Sequence, residues 1–201
     1  MANGRVITGF SKPYVATYSH SGGTVTYSNG MPLARGVSVE LSVESSDSND
    51  FYADNIVAES ASGKFGGGTA NITVDGLKLA AAKLIEGTPA QTTVTVGSST
   101  VNVTDYGEAQ VIPYVGIGFI VRYMEDGVST YQPVFLTKAK FADTGLTANT
   151  QEEEIDFQSA SLTAQLFRDD TTAHNWKRVA DAQTSEADAE DVLKAFLGIT
   201  A

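Results

Sequence analysis

Apolar and polar residues alternate along much of the first half of the chain. Since the side chains of a β-strand point alternately to its two faces, such a pattern predicts strands with one buried and one polar face. Segment 37–43 shows it most clearly, with Val37, Val39, Leu41 and Val43 separated by Ser38, Glu40 and Ser42. Shorter stretches at 14–18 and 24–28, joined across Gly22-Gly23, predict a hairpin.

Further strand pairs are predicted in the second half. Threonine- and valine-rich stretches at 92–96 and 100–104 flank Gly97, which predicts a hairpin. Asp126-Gly127 predicts a tight turn between strands at 117–124 and 128–136.

Two features near these strands carry their own predictions. Proline cannot donate to a strand ladder, so Pro133 places its strand at a sheet edge or at a bulge. Segments 152–158 and 161–167 predict a last strand pair, the first with a markedly acidic polar side.

Two helices are predicted. The first runs from Gly76 to about Glu86, with Asp75 in position to cap its first amides and Gly87 to end it. The second lies near the C-terminus, where Ser185 and a carboxylate three residues later resemble a capping box. Its apolar stripe consists of Val192, Leu193, Phe196 and Leu197, before Gly198.

These elements predict a mainly β, α+β fold in one domain over residues 1–201. We expect an antiparallel β-sandwich or barrel with a flanking helix and a C-terminal helical extension over 171–201. Segment 45–68 is polar at its start, carries aromatic residues and contains Gly66-Gly67-Gly68, which we interpret as a flexible hinge. It is predicted to be a long loop, and long loops in compact domains are usually functional.

Composition limits the classes of function. The chain carries a formal charge of −11, which disfavours a protein that grips nucleic acid through phosphate contacts. It has no cysteine, so neither disulfides nor thiolate metal sites are expected. Neither a cleaved secretion signal nor a membrane span is predicted.

The sequence contains none of the catalytic motifs considered. The two histidines, His20 and His174, stand in no metal-binding spacing, and no serine lies in a nucleophile elbow. Residues Glu152, Glu153 and Glu154 would alternate between faces of a strand, which indicates a solvated strand and not a cation site. We therefore expect no enzyme, with no catalytic, cofactor-binding or metal-binding residues and no cofactor.

Five segments carry a resemblance to a known family. They are VSVEL at 37–41, FYADN at 51–55, VDGL at 74–77, GIGFI at 116–120 leading into the Asp126-Gly127 turn, and FLTKAKF at 135–141. In order and texture the chain resembles the major tail tube proteins of long-tailed phages with flexible, non-contractile tails. The likeness extends over most of residues 1–170.

The resemblance implies a structural virion protein, assembled in the host cytoplasm, whose hexameric rings stack into the tail tube. DNA would pass through the lumen to the host without specific binding and without a membrane role. The implied partners are further copies of the chain, the tape measure, the tail terminator and the distal tail proteins. Candidate inter-ring contacts are Asp50, Phe51, Tyr52, Lys64 and Phe65. Candidate lumen-facing residues, which otherwise face outer solvent, are Glu40, Glu44, Glu154 and Asp156.

A carbohydrate- or receptor-binding β-sandwich of a surface or virion protein is the alternative. Eight tyrosines and the single Trp176 provide aromatic rings on which a sugar could stack. Trp176 lies in a polar stretch, however, and could equally anchor a terminal segment to the body of the fold.

Overall fold

The computed structural model describes residues 4–46, 49–61, 63–87, 90–108, 110–145, 148–150 and 158–199. In chain order the elements are β1 (Val6–Ser21), β2 (Thr24–Pro32), β3 (Gly36–Ser45), β4 (Asn49–Ala53), β5 (Ile56–Ala61), β6 (Phe65–Val74), α1 (Leu79–Glu86), β7 (Ala90–Val96), β8 (Ser99–Asp105), β9 (Val115–Glu125), β10 (Val128–Phe141), β11 (Ala160–Phe167), β12 (Lys177–Val179) and α2 (Glu186–Phe196).

One large antiparallel sheet forms the body of the fold. Its strand order is β2-β1-β9-β10-β11-β6-β3, and the short β12 pairs with β10. The hairpins β4–β5 and β7–β8 form two separate two-stranded sheets. The prediction of a mainly antiparallel β fold with flanking helices is confirmed, in the sandwich form and not as a barrel.

The main core is enclosed by strands from both halves of the large sheet. Side chains of β6 and β11 pack with those of β1, β9 and β10, and α1 contributes Ala81 and Ile85. At the junction of the halves, the ring of Phe10 lies against Gly36, where a Cβ atom would be 2.3 Å from the ring. Burial of this apolar surface is the main favourable contribution to folding.

Helix α2 covers the opposite face of β9 and β10. Leu193 and Leu197 are fully buried there against Ile120 and Phe135. Gly118 allows the close approach, since a Cβ atom there would be 3.0 Å from Leu193. With both faces covered, β9 is buried continuously from its first residue through Ile120, and it therefore shows no alternation.

The predicted cap of α2 is confirmed, whereas that of α1 is wrong. Ser185 Oγ accepts a hydrogen bond from the backbone N–H of Asp188 at 3.1 Å. Helix α1 begins at Leu79, and its N-cap is Lys78, which makes no side-chain cap. Asp75 instead accepts a hydrogen bond from the backbone N–H of Arg35 at 3.0 Å and forms an ion pair with that guanidinium.

The strand that contains Pro133 is not at an edge. Pro133 lies in β10, opposite Ile120 of β9, and its carbonyl accepts a hydrogen bond from the N–H of Ala180 at 3.0 Å. The irregularity of β10 comes later, between Leu136 and Ala139. The strand tolerates proline because the carbonyl of Ala180 accepts a hydrogen bond from Gln132 Nε2 at 3.1 Å and therefore does not need an N–H at position 133.

Segment 45–68 is largely β structure, which corrects the prediction of a long loop. It contains the end of β3, the β4–β5 hairpin and the start of β6. Gly67 pairs with Glu44 and Gly68 with Val43, so the glycines belong to a strand ladder and do not form a hinge. A Cβ atom on Gly68 would lie 2.5 Å from the carbonyl oxygen of Ser42, which explains glycine there.

The last predicted strand pair is only partly described. Strand β11 is present, and it pairs with β10 and β6. Residues 152–157, its predicted partner, lie outside the described residues, and so do Glu154 and Asp156.

Candidate assembly surfaces

The β4–β5 hairpin, which we call the first arm, extends from the body between β3 and β6. Its turn is Asp54-Asn55, both with positive φ, 51° and 63°. Such paired positive φ values are typical of the tight turns that match strand twist. Residues 50–60 are all exposed, so neither face of this ribbon packs on the body.

Large apolar side chains lie on the first arm. Phe51 is 65% exposed, Tyr52 62% and Ile56 67%. An isolated two-stranded hairpin is marginally stable in water, and exposed aromatic rings in a cluster are typical of interaction surfaces. The first arm therefore has the properties of a segment that is buried against another molecule.

The predicted inter-ring residues fall into two groups. Asp50, Phe51 and Tyr52 lie on the first arm. Lys64 and Phe65 lie at its base, where the backbone N–H of Lys64 donates to Ser46 Oγ at 2.9 Å. The Phe65 ring stacks on another ring of the same chain, so it already has a packing partner.

That partner is Trp176. The Phe65 and Trp176 rings are 4.7 Å apart and nearly parallel, at 4°. Lys177 Nζ lies 4.8 Å from the centre of the indole ring, and the backbone carbonyl of Trp176 accepts from Thr137 N–H at 3.1 Å. Trp176 thus anchors its segment to the sheet and is poorly placed as a platform for a sugar.

The β7–β8 hairpin, the second arm, also projects with little burial, because nearly all its described side chains are exposed. In its register Val94 pairs with Val101, and the alternation places valines on one face and polar residues on the other. The valine face consists of Val94, Val96, Val101 and Val103, all exposed. The predicted hairpin is confirmed, but its exposure could not be read from the valine and threonine pattern.

Strands β3, β6 and β11 present a surface that we call the polar face. Their inward side chains form the core, and the outward side chains are Ser38, Glu40, Ser42, Glu44, Thr69, Asn71, Thr73, Ser161, Thr163 and Gln165. Across it Thr163 Oγ1 donates to Asn71 Oδ1 at 2.9 Å. These ten residues include two carboxylates and no cation, and the two are the predicted lumen-facing Glu40 and Glu44.

Lysines border the polar face at β10, and the structure holds one of them in place. Lys138 Nζ forms an ion pair with Asp170 at 2.7 Å and lies 4.5 Å from the ring centre of Tyr114. Hydrogen bonds from Lys138 and from Tyr18 lower the pKa of Asp170. Burial, together with the hydrogen bond to Asp170, raises the pKa of Tyr18 to about 12. The positive charge of Lys138 is therefore balanced by Asp170.

A cleft of about 690 Å³ lies where β1 and β3 meet the start of α1, and we call it the basic cleft. Three cationic side chains line it: Lys12, Arg35 and Lys78. Asp75 is the one carboxylate among its described lining residues, and hydrogen bonds from Arg35 lower its pKa. The cleft thus brings three cations together: Lys12 and Arg35 are ion-paired with Glu190 and Asp75, and Lys78 has no ion pair among the described residues.

Beside the cleft, a carboxylate of α2 ties the helix to β1. Glu190 accepts from the Tyr14 hydroxyl at 2.5 Å and lies 2.9 Å from Lys12 Nζ and 3.0 Å from Lys194 Nζ. Burial alone would raise the pKa of Glu190, but these three hydrogen bonds outweigh it and lower the pKa to about 2. This cluster stabilises the docking of α2.

The two histidines lie close to different carboxylate and carbonyl groups. His20 Nδ1 lies 3.4 Å from Asp170, and His174 Nδ1 lies 3.2 Å from the carbonyl of Asp169. Among the residues that the structure describes, no group of three metal-ligating side chains is found.

Comparison of the sequence with protein-family models and with curated proteins finds no match. In the described part of the chain, no helix is long and apolar enough to cross a membrane. The chain presents the two arms, the polar face and the basic cleft as surfaces for contact with other molecules.

Sequence reasoning located some of these surfaces and missed others. The aromatic pair at the start of segment 51–55 indicated the first arm, and the alternation of β3 indicated the polar face. The basic cleft was missed because Lys12, Arg35 and Lys78 are distant in sequence. The basic cleft forms only when β1, β3 and the start of α1 come together, so no local sequence pattern predicts it.

Proposed function

We propose that this chain is a structural subunit that polymerises as stacked rings into the tail tube of a long-tailed phage. Its tube would conduct DNA during ejection, in contact with the tape measure, the tail terminator and the distal tail proteins. The chain acts in this role by geometry and not by catalysis. One observation carries the proposal: a two-stranded arm with exposed aromatic residues and no packing of its own on the body.

The first arm supports polymerisation because its exposed side chains are of the kind that anchor interfaces. Aromatic residues dominate the energetics of protein contacts when they enter a desolvated pocket. Phe51 and Tyr52 are each more than 60% exposed in the isolated chain. Burial in a neighbouring copy would remove this apolar surface from water.

The ends of the large sheet support closure into a ring. The terminal strands are β2 and β3, so each presents an edge without a partner in the main strand order. Native proteins rarely leave long edges unprotected, since free strand edges invite aggregation. If the β2 edge of each copy pairs with the β3 edge of the next around a closed ring, both edges gain a partner and neither is left exposed.

The polar face supports a conduit wall. A six-membered ring would carry a formal charge of 6 × −11 = −66. The ten outward residues of this face include two carboxylates and no cation, so they offer phosphates no ion-pair partner, and the lysines of β10 lie only at its border. Screening restricts the repulsion to about 8 Å at physiological salt, so such a face acts as a coating of the wall.

Negative-stain electron microscopy of concentrated protein tests the proposal. We expect rings or tubes, alone or after addition of the tail components. Phe51→Ser with Tyr52→Ser should leave the monomer folded but prevent elongation, because both side chains are mostly exposed and neither packs in the core of the described residues. Val96→Ser, at a residue 64% exposed on the second arm, is the matched control.

Each outcome has a distinct meaning. Tubes of normal length from the double variant would remove the first arm from stacking, and a block by Val96→Ser alone would assign stacking to the second arm. Protein that stays monomeric under every condition and binds glycans would replace the proposal with the receptor-binding alternative.

A further inference from the structure

The first arm and the basic cleft lie at opposite ends of one pair of strands. Strands β3 and β6 are paired from Gly36 with Val74 to Ser45 with Phe65. Gly36 lines the basic cleft, whereas the first arm begins just after Ser45. Nine residue steps of about 3.3 Å separate the two ends by about 30 Å.

This separation excludes insertion of an arm into the cleft of its own chain. Strand β4 has five residues, so it reaches only about 13 Å beyond its first residue. The arm also does not fold back, because both of its faces are exposed. An occupant of the cleft that has the chemistry of the arm must therefore come from another copy.

The arm and the cleft are complementary in charge. Between residues 49 and 61 the arm carries Asp50, Asp54 and Glu59 and no cation. In the cleft, Lys12 and Arg35 are ion-paired with Glu190 and Asp75, and Lys78 has no ion pair among the described residues. Glu186 also lies close to Lys12 and accepts a hydrogen bond from Ser11 of the cleft, so the charge that the cleft offers to the acidic arm is the ammonium group of Lys78.

The arm and the cleft are also complementary in apolar surface. The cleft is lined by Tyr14, Pro32 and Ala34 besides its charged residues. Leu79, next to Lys78, is 61% exposed. An aromatic or aliphatic side chain from the arm would find apolar partners there, and 690 Å³ is enough for several side chains.

We infer that the first arm of one copy binds in the basic cleft of the next copy, so that the contact repeats head to tail along β3 and β6. This inference rests on the proposed function and names the receiving surface for the stacking contact. A head-to-tail contact of this kind leaves one free arm and one free cleft at the ends of every assembly, so it propagates. The repeat along the axis is then the length of β3 plus at most that of the arm, about 30–43 Å.

The absence of cysteine in the chain allows a direct test by disulfide trapping. Gly76→Cys marks the cleft, where an added Cβ atom would meet nothing within 4 Å and Lys78 is kept, and Ile56→Cys marks the arm. Mixed with a thiol oxidant such as diamide under assembly conditions, these two variants should give covalent heterodimers, distinguished by a size tag on one of them. A single chain with both substitutions should give a ladder of dimers, trimers and larger species.

Val96→Cys replaces Ile56→Cys as the matched control, since both sites are on exposed arms with 64% and 67% exposure. Tyr52→Cys provides a second position on the first arm, and circular dichroism verifies the fold of each variant. We expect cross-linking from positions 52 and 56 to be at least tenfold above that from position 96.

The outcomes separate the two proposals. Tubes that assemble without the 52–76 or 56–76 cross-link, or with an equal yield from position 96, would overturn the arm-to-cleft contact while stacking stands. A chain that never self-associates, even with the tail components, would overturn the proposed function and this contact together. Cross-linking that rises with assembly and falls in 1 M salt would support both.

Discussion

Protonation of Glu190 should weaken the attachment of α2 to β1. The carboxylate receives hydrogen bonds from Tyr14, Lys12 and Lys194, and its side chain is 16% exposed. Its folded pKa is about 2, against an ordinary value of 4.5. Because the folded pKa is the lower one, the stability contributed by Glu190 is present above pH 4.5. It is lost as the pH falls from about 4.5 to about 2.

The magnitude follows from the two pKa values. At about 1.4 kcal/mol per pH unit, the difference corresponds to about 3 kcal/mol of unfolding free energy at neutral pH. That is a large fraction of the 5–15 kcal/mol that is typical for a whole domain. Glu190→Gln removes the charge but keeps the shape, so it should cost about 3 kcal/mol at pH 7 and almost nothing at pH 2.

Urea unfolding followed by tryptophan fluorescence, at several pH values from 7 to 2, measures this difference. Trp176 is the single tryptophan and stacks on Phe65, so its emission reports on the packed body. Glu59→Gln, in the exposed first arm, controls for the change in net charge. A constant difference between Glu190→Gln and the unmodified chain across the whole pH range would refute the reasoning.

Two further substitutions test the packing. Leu193→Ala should lower the unfolding free energy by about 2–5 kcal/mol, because the Leu193 side chain of α2 is fully buried against the sheet. Denaturant midpoints measure this loss, and Val192→Ala, at a partly buried residue, is the control. Gly87→Ala should cost about 1–3 kcal/mol, because Gly87 has φ of 63° and a Cβ atom would lie 1.9 Å from the carbonyl oxygen of Val111; thermal unfolding no lower than that of the unmodified chain would contradict it.

The sequence predicted elements best where their determinants are local. The Ser185 cap, the Asp126-Gly127 turn and the Gly97 turn each depend on a few adjacent residues, and all three are present. The first arm was predicted as part of a long loop from the polar residues and the glycine run of segment 45–68, and its turn, Asp54-Asn55, lacks the glycine that marks the other turns. Aspartate and asparagine tolerate positive φ as well, so this turn was a weaker signal of the same kind.

Contacts between residues that are distant in sequence were not predicted. Asp75 was expected to cap α1, which is wrong, because its carboxylate binds Arg35, forty positions away. The inter-ring role of Phe65 stays a prediction, but the stacking of its ring on Trp176 was not indicated by the sequence. Such pairings depend on tertiary structure, and therefore neither propensity nor spacing indicates them.

The proposed arm-to-cleft contact and the proposed conduit wall require the same axis. Neighbouring strands are related by hydrogen bonds across the strand direction, so pairing of the β2 and β3 edges extends a sheet sideways, around a ring. The contact between the first arm and the basic cleft extends it along β3 and β6, up the tube. The polar face is built on β3, β6 and β11, so successive copies would align their polar faces end to end. A stacking axis across the strands would instead break this face at every ring and leave the first arm without a cleft to enter.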